Sequence, residues 1–116
     1  PGPFPANMTY NEQLHVFTNV LNREGKTSQY MLRVIVGDAL STVNPSTGVV
    51  GGVLLESHEG IVLDGRDWEE AMDLHFNNSL VGVKKIIFEL WMLDPATVSY
   101  HFTQQILHIW IEILEP

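Results

Sequence analysis

Residues 80–93 read LVGVKKIIFELWML, and the fold turns on how that stretch is taken. With period two, one face carries Leu80, Gly82, Lys84, Ile86, Phe88, Leu90 and Met92. The other carries Val81, Val83, Lys85, Ile87, Glu89, Trp91 and Leu93. Both faces are largely apolar in the second half, the pattern of a strand covered on both sides in the middle of a sheet. The run ends at Asp94-Pro95-Ala96-Thr97, where proline presets φ for a turn and has no N–H to give a ladder. Beyond the turn, Val98, Tyr100 and Phe102 alternate with Ser99, His101 and Thr103. Leu107, Ile109, Ile111 and Ile113 then alternate with His108, Trp110 and Glu112. A helix over residues 98–114 is the rival reading, and the β-branched and aromatic content argues against it. The expectation is a long C-terminal β-hairpin, with Phe88, Leu90, Trp91 and several of the last four aliphatic positions in the core.

Working outward, residues 28–36 show the same alternation, Tyr30, Leu32, Val34 and Val36 against Met31, Arg33 and Ile35, and predict a strand. Residues 43–52, VNPSTGVVGG, are punctuated by one proline and three glycines and predict a mobile loop. Residues 53–55 and 61–63 predict two short strands around a turn at Ser57-His58-Glu59-Gly60. Two segments carry a helical period instead. Thr9-Tyr10-Asn11-Glu12 has the spacing of a capping box. Leu14, Phe17 and Leu21, with Val20 beside them, then make an apolar stripe that Gly25 ends. These features predict a helix over residues 10–23. Residues 67–76 predict a turn or short helix, with acids in its first turn suiting the helix dipole, running into an extended segment. The predicted class is therefore α+β: an antiparallel β-sheet covered by an N-terminal amphipathic helix and one further short helix.

At 116 residues the chain makes one domain, which buries roughly two-thirds of the surface its unfolded form exposes. Residues 1–8, PGPFPANM, read as a Pro-rich extended arm, and residues 9–116 as the globular unit. That opening has neither the basic region nor the apolar core of a signal peptide. A chain starting on proline reads as a trimmed fragment, with a tail expected to be missing. Nothing approaches the run of about 20 apolar residues that a membrane-spanning helix needs. There is no cysteine, so disulfides and thiolate metal sites are excluded. Six Lys and Arg against fourteen Asp and Glu give a net charge of −8, which disfavours direct nucleic-acid binding.

The search for chemistry returns little. His58 and Glu59 are adjacent and His75 lies further on, and these three would carry a metal or acid–base site if there were one. No histidine pair has the i, i+4 spacing of H-E-x-x-H, no G-x-S-x-G occurs, and GVVGG lacks the Lys-Ser/Thr of a phosphate loop. The reading is of a non-enzyme, with no catalytic residue, no metal and no cofactor. Self-association is the predicted activity. It is assigned to Pro3, Phe4 and Pro5 in the arm, and to Val49 and Val50 in the glycine-flanked loop, where apolar residues serve no local pattern. Arm and receiving surface differ, so the predicted homo-oligomer is head-to-tail.

The order of features also resembles a family. A Thr-Tyr opening a helix, a Gly-Lys turn, the strand LRVIVGDALS and a Pro-containing loop resemble the globular domain of rhabdovirus matrix proteins. VIVGDALSTVNPSTG is similar to a segment of the lyssavirus members. DGRDWEEAMDLHF followed by NNSLVGVKKIIFELWML is similar to their acidic, Trp-containing stretch and long strand. The resemblance spans about residues 9–93 and is weaker beyond. It implies a structural protein of the virion, at the inner face of the envelope and in host cytoplasm and membrane periphery. That protein would self-associate, bridge nucleocapsid and membrane through segments missing here, and support assembly and budding. The acidic balance departs from that family, and no PPxY motif is present. The alternative is a small acidic binding or inhibitor module, similar to an immunity protein, that neutralises a basic partner.

Overall fold

A computed structural model describes residues 6–116 of the chain, and its regular structure is almost entirely strand. Nine strands follow in order: β1 (Ala6–Thr9), β2 (Gln13–Leu21), β3 (Ser28–Gly37), β4 (Thr42–Asn44), β5 (Gly48–Val50), β6 (Val53–Val62), β7 (Asp67–His75), β8 (Gly82–Asp94) and β9 (Ser99–Leu114). The only helical turn among the described residues is a single 3₁₀ turn at Asn78–Leu80. The α+β expectation is thus corrected: the domain is a β-sheet half-barrel. A five-stranded sheet of order β1-β9-β8-β3-β6 is faced by the two-stranded sheet β2-β7, and β4-β5 forms a separate small hairpin. All pairings are antiparallel except β1 with β9.

The predicted helix over 10–23 is β2. Its helical stripe used Leu14, Phe17 and Leu21, yet the same residues also alternate with period two. Leu14, Val16, Thr18 and Val20 pair across to Leu74, Met72, Glu70 and Trp68 and face the other sheet. Phe17 is left 65% exposed on the outside. Three β-branched residues at alternate positions suit a pleated surface better than a helix. Half of the capping box forms, and in a turn: Thr9 N donates to Glu12 Oε1 at 2.8 Å, while Glu12 N donates to the Thr9 backbone carbonyl at 3.1 Å instead of to its hydroxyl. That Thr9 backbone N–H holds the Glu12 carboxyl below the usual range. The same local chemistry can therefore close a turn between strands as readily as it starts a helix.

The short helix expected at 67–76 is β7. Trp68, Glu70, Met72 and Leu74 point inward, and the acids that looked like helix-dipole partners, Asp67, Glu69 and Asp73, point out. Residues 53–62, expected as two strands around a turn at 57–60, form one strand. Gly60 lies within it because Trp68 packs on it across the sandwich; a Cβ there would stand 2.6 Å from Trp68 Cε2. The loop expected at 43–52 is largely the β4-β5 hairpin.

The C-terminal hairpin forms, β8 pairing with β9 from Gly82↔Ile113 to Asp94↔Ser99. Its register slips by two residues at Thr103 and Gln104, and Gln104 takes φ 68°. Leu32, Val34, Ile86, Phe88, Ile111 and Ile113 build the inner face of the large sheet against Met72 and Leu74. Leu90 and Trp91 are only half-buried, and Leu107 and Ile109 stand 72% and 40% exposed. The two-stranded sheet is too narrow to cover that end of β9, which leaves one side of the half-barrel open.

Candidate functional site

Three places on the molecule hold polar or exposed side chains in an organised way. The first is the outer face of β2-β7. Its outward residues are Gln13, His15, Phe17, Asn19 and Leu21 on β2, and Asp67, Glu69, Ala71, Asp73 and His75 on β7, all exposed. Neither strand contains a Lys or Arg. His15 Nδ1 contacts Asp73 Oδ1 across the pair, and Asn19 Nδ2 donates to Asp67 Oδ2 at 2.8 Å. Phe17 stands opposite Ala71, so nothing on the partner strand shields its ring. The result is an acidic face with one aromatic side chain at its centre.

The second is a polar cluster at the β6–β7 side of the core. His58 Nε2 lies 2.8 Å from Glu56 Oε1, and His58 Nδ1 lies 3.9 Å from Glu70 Oε1. The imidazole separates the two carboxylates, so they cannot converge on one ion. Among the described residues no group of three His, Asp or Glu is placed to hold a metal. Glu59, adjacent to His58 in sequence, points the other way because strand neighbours alternate faces. It accepts from Tyr100 Oη at 2.5 Å, and Gln29 Nε2 donates to the same hydroxyl at 2.8 Å. Burial first, and the bond to Glu59 next, push the Tyr100 hydroxyl above the usual tyrosine range. His75 ends β7, exposed and away from both. His58, Glu59 and His75, joined as a candidate trio by sequence, are not brought together.

The third is a clamp on the outer face of the large sheet. Glu89 is 0% exposed, in the middle of β8. It accepts the Val49 backbone N–H through Oε2 and Trp91 Nε1–H through Oε1 at 2.9 Å, with Arg33 Nη1 3.8 Å away. The Arg33 guanidinium also stacks 5.3 Å above the Trp91 ring. The clamp ties the β4-β5 hairpin to the sheet. Of the residues assigned to self-association, Val49 is thus half-buried and held by its backbone, while Val50 is 51% exposed at the end of β5. Pro3, Phe4 and Pro5 lie outside the described residues. Residues 6–8, taken with the arm, include strand residues, and Met8 is buried.

No family model matches this chain, and no curated protein does. Sequence reasoning missed the acidic face because a helical reading of 10–23 and 67–76 put those acids at a helix start. It missed the Glu89 clamp too, although a signal was there: one acid inside an apolar strand, two residues from a tryptophan. Last, an apolar cleft of about 620 Å³ runs along the open side of the half-barrel, between Val20 and Leu21 of β2 and Phe88, Leu90 and Leu107 of the hairpin.

Proposed function

We propose that this domain works by binding and not by catalysis, as an acidic module that docks a basic partner on the outer face of β2-β7. The carrying observation is the composition of that face: Asp67, Glu69 and Asp73 with no Lys or Arg on either strand, around a Phe17 ring that is 65% exposed. Carboxylates of one sign steer a cationic partner and set its orientation. A desolvated aromatic anchor supplies affinity that rim charges alone do not. The resemblance to viral matrix proteins implied an α+β domain, whereas the described residues form strands and one 3₁₀ turn. The acidic-module reading is the one the surface favours.

The test is an NMR titration with a Lys/Arg-rich peptide carrying one apolar residue, at low and moderate salt. Shifts confined to β2 and β7, weakened by salt and by Phe17→Ala, support the proposal. Shifts scattered over all acidic residues, or unaffected by Phe17→Ala, would reduce the interaction to bulk electrostatics and refute it.

A further inference from the structure

We propose that Asn77 is an acceptor for an N-linked oligosaccharide. The chain contains three Asn-x-Ser/Thr triplets, Asn7-Met8-Thr9, Asn44-Pro45-Ser46 and Asn77-Asn78-Ser79. Such a triplet reads as an acceptor when its middle residue is not proline and its place in the fold is a surface loop. Pro45 removes the second. Asn7 lies inside β1, laddered beside Glu112, and the Thr9 hydroxyl is engaged by Asn11 and Glu12. Asn77 meets both conditions. It stands in the turn between β7 and β8, and Asn77, Asn78 and Ser79 are all exposed.

The hydrogen bonds at the turn leave the reacting atom available. Asn77 Oδ1 accepts the Ser79 backbone N–H at 3.0 Å and the Ser79 hydroxyl, capping the 3₁₀ turn Asn78–Leu80. A backbone N–H can only donate, so the atom it meets is the amide oxygen and the other is Nδ2. Among the described residues Nδ2 of Asn77 donates to nothing, whereas Asn19 Nδ2 donates to Asp67 and Asn22 Nδ2 to the carbonyls of Lys26 and Val62. A sugar on Asn77 therefore replaces a solvated hydrogen and keeps the cap. The surroundings suit a bulky polar group: Val81 follows the turn and Val83 lies at the start of β8, 37% and 51% exposed. A solvated oligosaccharide beside them shields apolar surface that the fold leaves uncovered.

The donor is a lipid-pyrophosphate-linked oligosaccharide. The bond between its anomeric carbon and the pyrophosphate oxygen breaks, and the lipid pyrophosphate leaves with the electron pair. The anomeric carbon bonds to Asn77 Nδ2, and the displaced amide proton passes to a base of the transferase. Nothing is oxidised or reduced. Asn77 lies beyond the end of β7, whereas Ala71, opposite Phe17, is in its middle, so this site uses no residue of the acidic face. It stands or falls apart from the proposed function.

The test is peptide mass spectrometry of the protein isolated from the cells that make it, before and after N-glycosidase treatment in heavy-oxygen water. The peptide spanning residue 77 should carry an oligosaccharide mass, and the enzyme should leave a labelled aspartate at 77 and none at 44. Asn78→Pro then separates the triplet from the turn. Position 78 is the first of the 3₁₀ turn, where proline is tolerated, and Asn77 is already extended at φ −133° and ψ 176°, as the residue before a proline must be. That variant should keep the parent's circular dichroism spectrum and lose the glycan. Ser79→Thr retains the hydroxyl and should keep it. Bare Asn77 in the isolated protein, a glycan that persists in Asn78→Pro, or one lost in Ser79→Thr would each overturn the proposal.

Discussion

The carboxylate of Glu89, wholly buried in β8, accepts the backbone N–H of Val49, and so joins the small hairpin to the centre of the large sheet. The two residues are 40 positions apart, and the pairing of β4 with β5 over the centre of β8 brings them together. A buried carboxylate is tolerable only when its oxygens are satisfied, and here a backbone amide, an indole N–H and a nearby guanidinium do so.

Glu89→Ala should therefore destabilise the domain by about 2–4 kcal/mol, since it leaves the Val49 amide and the Trp91 indole N–H without an acceptor. Urea denaturation gives the total. Hydrogen exchange at the Val49 amide locates the loss, which should be greater there than in β8. An unchanged exchange rate at Val49 would mean that the hairpin is held by other contacts.

Gly48 and Gly65 both sit at positive φ, 81° and 77°, and differ in what surrounds them. A Cβ on Gly48 would run into the Glu89 carboxylate, with Cδ at 2.8 Å, whereas one on Gly65 meets nothing within 4 Å. Gly65→Ala should cost about 1–2 kcal/mol, the left-handed strain alone. Gly48→Ala adds overpacking of about 1–3 kcal/mol. Equal midpoints for the two variants in urea would show that the hairpin yields freely.

Phe88 and Leu107 are register partners on the same face of the sheet, one 6% and the other 72% exposed. Phe88→Ala should cost about 3–5 kcal/mol through lost burial and the cavity left behind. Leu107→Ala should change monomer stability by no more than about 0.5 kcal/mol. Thermal unfolding of dilute protein separates the two, and a large loss in the second variant would mean that the open side is covered in solution.

Tyr30 and Tyr100 are both pushed above the usual tyrosine range, chiefly by burial. A tyrosine whose pKa is raised on folding favours the folded state while protonated. That contribution is complete below the unfolded value of about 10 and is lost as pH rises through the higher folded value. Stability measured in urea should accordingly fall above about pH 10, and less steeply in Tyr100→Phe. Parallel curves for the parent and the variant would rule out a contribution from Tyr100.

The C-terminal hairpin, its turn at Asp94-Pro95 and the alternation of β3 could be read from residues 80–114 and 28–36 alone. In those stretches the β-branched and aromatic content weighs against the helical alternative, and Pro95 marks the end of β8. Residues 13–21 and 67–75 support two periods at once, and the helical one came with a capping signal that here closes a turn. What chose the strand was each segment's partner: Gln13 pairs with His75, and Leu21 with Asp67. Local propensity differences are a few tenths of a kcal/mol per residue, while pairing and burying alternate side chains between two sheets contributes several times that. The choice is made by contacts some fifty residues distant, and no window of sequence contains both halves of them. The same holds for the acidic face. That Asp67, Glu69 and Asp73 fall on alternate positions is written in residues 67–73 alone. Only the tertiary structure put them on one surface around Phe17, because β2 became the strand beside them.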